Sequence, residues 1–229
     1  MNEIRRFDVG MSVDALAAAW ARQEAAPAGS VVTAGAEISG RRRGGVPWKT
    51  AAPNGLMMAM VTRPRIKPRQ ESLLWLVATL ASAKAVETVT GRSRSVLWPD
   101  MVGEVDGESV CFTNVGVQLG PDRIEHAVLS VRVDLVKAEV DDGERLLTEL
   151  IEELETAVAK LEADPLTILQ TFSDAYGLMD CLVTATLLPR GSARGRVAAI
   201  DESGDLVLES TTGMLERIMP SNLRSLDPA

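Results

Sequence analysis

The sequence predicts an α+β fold, a mixed sheet flanked by helices with a small all-β unit after it, on three observations. Residues 71–89 and 144–162 carry apolar side chains at helical spacing. Residues 109–119 and 127–136 read as two strands joined by the turn Gly120-Pro121-Asp122. After residue 176 the period shortens, and four strand-like runs (181–188, 196–200, 206–209 and 215–219) fit into about forty residues.

The elements follow in order. Residues 13–23 are alanine-rich and predict a first helix, with Asp14 placed where a negative charge suits the helix dipole. Residues 24–29 form a loop, 30–34 a β-branched strand, and 40–47 a loop of three arginines and three glycines. Residues 56–62 read as a buried, Met-rich strand, and Pro64 and Pro68 keep 63–69 irregular. In the helix over 71–89, Leu73, Leu74, Val77, Leu80 and Ala81 share one face, and Gly91 closes it. Residues 95–98 form a strand ended by Pro99, and 103–107 a turn. The helix over 144–162 has the stripe Leu147, Leu150, Ile151, Leu154, Val158 and Leu161, and a short helix covers 165–172. The four last strands predict a small barrel of the SH3-like kind. The boundary is expected at residues 176 and 177.

Composition narrows the function. With 46% hydrophobic and 24% charged residues in 229, the chain reads as a soluble globular protein with a full core. Its net charge of −8 argues against nucleic acid and anionic membranes as partners. No uninterrupted apolar run reaches the roughly 18 residues that span a bilayer, and residues 1–6 are not followed by a signal-peptide core. Cys111 and Cys181 are too few for a disulfide framework, so both are read as reduced in a cytoplasmic protein. His126 is the one histidine, which makes a two-His metal site or a conventional Ser-His-Asp triad hard to build; no metal is expected.

Several residues admit two readings. Arg41 to Arg43 grip a phosphate or carboxylate, or form a solvated loop. Trp48 contacts a ligand or packs. Cys111 is a nucleophile or a small buried hydrophobe. His126 reads as structural, Asp134 as a strand-end polar residue, and Met57, Met58 and Met60 as core or as the wall of an apolar pocket.

Between residues 29 and 64 stand Gly40-Arg41-Arg42-Arg43, Trp48, Pro53-Asn54-Gly55-Leu56 and Arg63-Pro64, and Leu97-Trp98-Pro99-Asp100 follows the 71–89 helix. In this order and spacing the chain resembles the biotin–protein ligases, whose Gly/Arg-rich loop precedes a tryptophan and whose Lys-Trp-Pro segment follows a helix. Residues 195–226 resemble the family's C-terminal cap, so the resemblance covers nearly the whole chain. It implies a class II aminoacyl-tRNA-synthetase-like biotin/lipoate ligase core over residues 1–176 and an SH3-like cap over 177–229. It implies biotin and MgATP as ligands, joined as biotinyl-AMP with release of pyrophosphate, and transfer of biotin to a lysine of a carrier domain. Ser12, Glu37, Gly40, Arg41, Arg43, Trp48 and Asp134 fall at the implied ligand positions. Pairing into a homodimer through the central sheet also follows from the resemblance. The DNA-binding extension of some members has no counterpart, so no repressor role is expected.

The departures are as informative. Leu97 and Ser109 stand where the family has lysines, and leucine supplies neither charge nor hydrogen bond. Arg94 lies three residues back, an odd separation that on a strand faces the other side. Glu37 replaces a glutamine beside biotin, Arg132 a glycine, and Gly44-Gly45-Val46 a more basic stretch of loop. Three functions follow. The first is an impaired or altered biotin–protein ligase. The second is a non-catalytic pseudoenzyme that binds a carrier domain, another small ligand or a partner subunit. The third is a lipoate-type acyl ligase or transferase, which lacks its histidine here.

Overall fold

The computed structural model describes residues 2–105 and 107–229. Its elements are β1 (Ile4–Gly10), α1 (Val13–Gln23), β2 (Val31–Glu37), β3 (Gly55–Thr62), α2 (Leu73–Thr90), β4 (Ser95–Leu97), β5 (Met101–Gly103), β6 (Ser109–Leu119), β7 (Ile124–Asp134), α3 (Leu135–Ala138), α4 (Gly143–Ala163) and α5 (Pro165–Ala175). The strands β8 (Leu182–Leu187), β9 (Ser192–Ile200), β10 (Leu206–Glu209), β11 (Leu215–Ile218) and β12 (Leu223–Pro228) complete the chain.

A seven-stranded mixed sheet runs β1-β2-β3-β7-β6-β5-β4, with β1 parallel to β2 and the other pairs antiparallel. Both of its faces are covered. Leu56, Met58 and Met60 of β3 join the core under α2, α4 and α5, while Met57, Ala59 and Val61 join a second core under α1. Alternate methionines therefore serve opposite faces, and the whole strand is buried. Leu73, Leu74, Leu76, Val77 and Ala78 of α2 are fully buried. Residues 68–90, although interrupted by polar and charged side chains, are long and apolar enough to cross a membrane by length and composition. The structure uses them as a core helix.

β1, β5 and β12 escaped the sequence reading. β1 is an edge strand with both faces largely exposed, so it shows no apolar alternation. β7 starts at Ile124 and ends at Asp134, where the side chain caps α3 instead of the strand continuing to residue 136.

The C-terminal strands form an open antiparallel sheet, β11-β10-β9-β8-β12. The closure of the expected barrel is not seen: among the described residues no ladder joins the edges β11 and β12. Its inner side chains, Val183, Val197, Leu206 and Leu223 among them, belong to the same core as α2 and α4. The β9–β10 turn presses on the start of α2. The Trp98 indole donates to the Gly204 carbonyl at 3.1 Å, and a Cβ on Gly204 would stand 2.9 Å from the Leu73 nitrogen.

This seam is acidic. Burial raises the Glu71 and Asp205 pKa values, with Asp205 adding to the shift on Glu71 and Asp201 to that on Asp205. A raised folded-state pKa means the native state holds more protons than the unfolded one above about pH 4, so stability falls as pH rises through the folded value. Thermal melts of Asp205→Asn should show a flatter decline from pH 4.5 to 7 than the parent protein. Parallel curves would remove the seam as the cause.

Candidate functional site

The site is built at the N-terminus of α1, where unpaired backbone N–H groups and the helix dipole favour carboxylates. Ser12 is the N-cap, and its hydroxyl accepts from the Ala15 N–H at 3.1 Å. Glu37, the last residue of β2, accepts from the Val13 N–H at 2.7 Å. Opposite lies Arg132 of β7. Its Nε donates to Glu37 Oε2 and its Nη2 to Glu37 Oε1, both at 2.8 Å, a bidentate pair. Nη2 also reaches Asp14 Oδ2 at 2.5 Å, and Nη1 lies 3.4 Å from Ser130 Oγ, which itself donates to Asp14. The Arg132 and Glu37 side chains are each 1% exposed, and Asp14 is 27% exposed. Burial would lower the Arg132 pKa, but its bonds to Glu37 and the charge of Asp14 outweigh this and raise it.

The loop from Gly40 to Trp48 closes on itself. The Trp48 N–H donates to the Gly40 carbonyl and the Arg42 N–H to the Val46 carbonyl, both at 2.8 Å. Gly44 and Gly45 supply the positive φ values, 69° and 77°, that turn it. Arg41 donates to the Gly45 carbonyl at 2.8 Å. Arg43 is 10% exposed, lies 3.1 Å from the buried Asp100 carboxylate and donates to the Leu223 carbonyl, pinning the loop to the C-terminal sheet. Arg42 lies over the Phe112 ring at 4.1 Å, and Trp48 meets the same ring edge-on at 5.9 Å. Arg42 Nε and Trp48 Nε1 are buried without a hydrogen-bond partner among the described residues.

Across the sheet, Leu97, Met101, Phe112, Arg132 and Met57 pair in one lateral row, so their side chains share a face. Leu97 is 7% exposed, and Ser109 Oγ lies 3.6 Å from Met101 Sδ. Arg94 engages Glu104 and Glu139 instead, and Lys137 engages Glu108. The one cation in this row is thus Arg132, consumed by two carboxylates, and Arg42 of the loop stacks on its Phe112. No group of His, Cys, Asp and Glu able to hold a metal occurs among the described residues.

No protein-family model matches the chain. The bifunctional ligase/repressor BirA of Bacillus spizizenii is 23% identical over 213 residues, 82% of this chain, and that of Bacillus subtilis is 22% identical over the same length. The chain spans 64% of the length of these curated relatives. The biotin protein ligase from Aquifex aeolicus, solved in complex with biotin and ATP, superposes with a TM-score of 0.78 over 99% of both chains at 16% identity. A biotin protein ligase-like protein of unknown function from Silicibacter sp. TM1040 superposes at 0.73, covering 96% of this chain and 94% of its own, also at 16% identity. The chain is similar in sequence to biotin ligases and has the biotin protein ligase fold.

In this ligase-like chain the structure gathers Ser12, Glu37 and Gly40 around Arg132. A Cβ on Gly40 would overlap the Glu37 carboxylate, so glycine here makes room for a neighbouring side chain. Arg41, Arg43 and Trp48 lie in the adjoining loop, tied to protein atoms or packed. Asp134 stands apart from the Arg132 cluster, accepting from the Lys137 N–H at 3.1 Å as the cap of α3. Cys111 is fully buried and its thiol is pushed up to about 12 by burial, which fits a small hydrophobe and not a nucleophile. Sequence reasoning missed Asp14 and Ser130 as partners of Arg132. Glu37 and Asp14 each stood out in the sequence, but nothing local joins either of them to Arg132.

Proposed function

We propose that the chain keeps the biotin protein ligase fold without efficient biotin ligation and serves as a non-catalytic binding protein for a carrier domain, another small ligand or a partner subunit. One observation carries this reading: the buried Arg132–Glu37–Asp14 cluster lies where the family resemblance puts a glycine and a glutamine beside biotin. A fixed ion pair there takes up volume and satisfies its own hydrogen bonds, leaving a neutral ureido ring few donors or acceptors. Leu97 compounds the loss. Where the family lysine would offset negative charge as biotinyl-AMP forms, a leucine gives nothing, and one lost donor of this kind costs about 10²- to 10³-fold in rate. Residues 1–176 then act as the binding core and 177–229 as a cap pinned to it through Arg43 and Trp98.

A second reading has its own support. The unpartnered donors of Arg42 and Trp48 beside Phe112 would suit an acceptor on a bound adenylate, with Arg42 standing in for the lysine of a rewired cytoplasmic ligase. Titration calorimetry with biotin, alone and with MgATP, separates the two. No biotin heat in either condition is the expected result. Saturable biotin binding followed by pyrophosphate release would establish the second reading and end the first.

A further inference from the structure

At the far end of β7 from Arg132 a second cleft opens, of about 1100 Å³, between the C-terminus of α1, the β6–β7 turn and the segment after β3. His126 and Arg132 are six residues apart on the strand, about 20 Å at the strand rise. Five cations line the cleft: Arg22, Arg63, Arg65, Lys67 and Arg123. Three carboxylates accompany them, Asp122, Glu125 and Glu162, so its lining is net positive on a chain whose net charge is −8.

Most of that positive charge is uncommitted. Among the described residues only Arg65 is paired, with Glu162 at 2.9 Å. Arg22, Lys67 and Arg123 make no ion pair among the described residues. Arg63 donates to the carbonyls of Glu125 and Ala26, at 2.9 and 3.0 Å, which orients the guanidinium without neutralising it. Within the cleft lies His126, 6% exposed, whose ring makes no hydrogen bond among the described residues. Arg22, Lys67 and Arg123 are exposed and Arg63 half-buried, so the cleft presents an open positive surface around the buried imidazole, which attracts anions.

We infer that this cleft binds a phosphate-bearing small molecule, with Arg22 and Arg123 on its walls, the fixed Arg63 guanidinium beneath them and the His126 ring donating from within. Guanidinium forks match phosphate oxygens, and a neutral imidazole offers one N–H to them. Burial, with Arg63 and Arg22 adding, holds the His126 pKa below its ordinary value against a weaker pull from Glu125. A bound anion would raise it. The inference does not rest on the ligase cleft and stands or falls separately from biotin binding.

The single histidine gives a clean readout. Pyrophosphate is titrated at constant ionic strength while the His126 imidazole resonances are followed by NMR. A saturable shift, with an upward move of the His126 pKa, is the expected result. Arg22→Gln with Arg123→Gln should weaken binding about tenfold or more. Arg190→Gln, in the exposed turn between β8 and β9, should leave it unchanged. Absence of a saturable shift, or equal weakening by Arg190→Gln and the double variant, would overturn the inference.

Discussion

Arg132→Met is expected to destabilise the protein by about 3–5 kcal/mol, the cost of leaving a buried ion without its partner. For a chain of this size that corresponds to a fall in Tm of about 10 °C. Glu37 is 1% exposed and loses two of its three hydrogen bonds, keeping only the one from the Val13 N–H. Asp14 is 27% exposed and can recover some hydration, so most of the loss falls on Glu37. The double variant Glu37→Met/Arg132→Met should regain much of the stability, because a buried pair exchanged for apolar side chains of similar volume is often neutral. Such non-additivity is the signature of direct coupling. If the single variant melts within 2 °C of the parent, or the two changes simply add, the cluster is not the buried ion pair described above.

The long helices were legible because their periods are long and their faces unequal. In α4 every apolar residue of the stripe from Leu147 to Leu161 is buried, and Asp142 caps its start by accepting from the Arg145 N–H at 3.0 Å. The edge strand β1 was invisible for the opposite reason: with both faces largely solvated, nothing in Ile4–Gly10 alternates. The site divides along the same line. Short-range features could be read, such as Ser12 before a helix and glycines in a tight loop. The partners of Arg132 could not, because Glu37 and Asp14 are 95 and 118 residues distant in sequence. Their meeting depends on β2 and β7 both flanking β3, an order set by the whole sheet. The pin from Arg43 to Leu223, 180 residues away, is a contact of the same kind. In the C-terminal sheet four of the five strands were readable, whereas β12, which pairs with β8 about forty residues earlier, was not.

On the proposed non-catalytic reading, Glu37→Gln/Arg132→Gly should create biotin binding that the parent lacks. The paired change removes the two buried charges together, leaves Asp14, 27% exposed, to be hydrated, and opens the volume of a guanidinium beside Ser12 and Gly40. Glutamine keeps an acceptor for the Val13 N–H and adds donors for a neutral ligand. Leu97→Lys alone should not achieve this. Its ammonium would enter an apolar row at a position 7% exposed, beside Met101, with Arg42 over the next side chain in the row, Phe112. Desolvation and a like charge would both lower its pKa and disfavour the fold. Added to the double variant, the same lysine gains an anionic partner as the adenylate forms. The triple variant should therefore release pyrophosphate from biotin and MgATP about 10²- to 10³-fold faster than the double. Calorimetry and a pyrophosphate assay on the four proteins test the order of events. Equal biotin affinity in the parent and the double variant would mean that the Arg132 cluster is no barrier. A folded double variant that still ignores biotin would place the obstacle in the closed loop from Gly40 to Trp48.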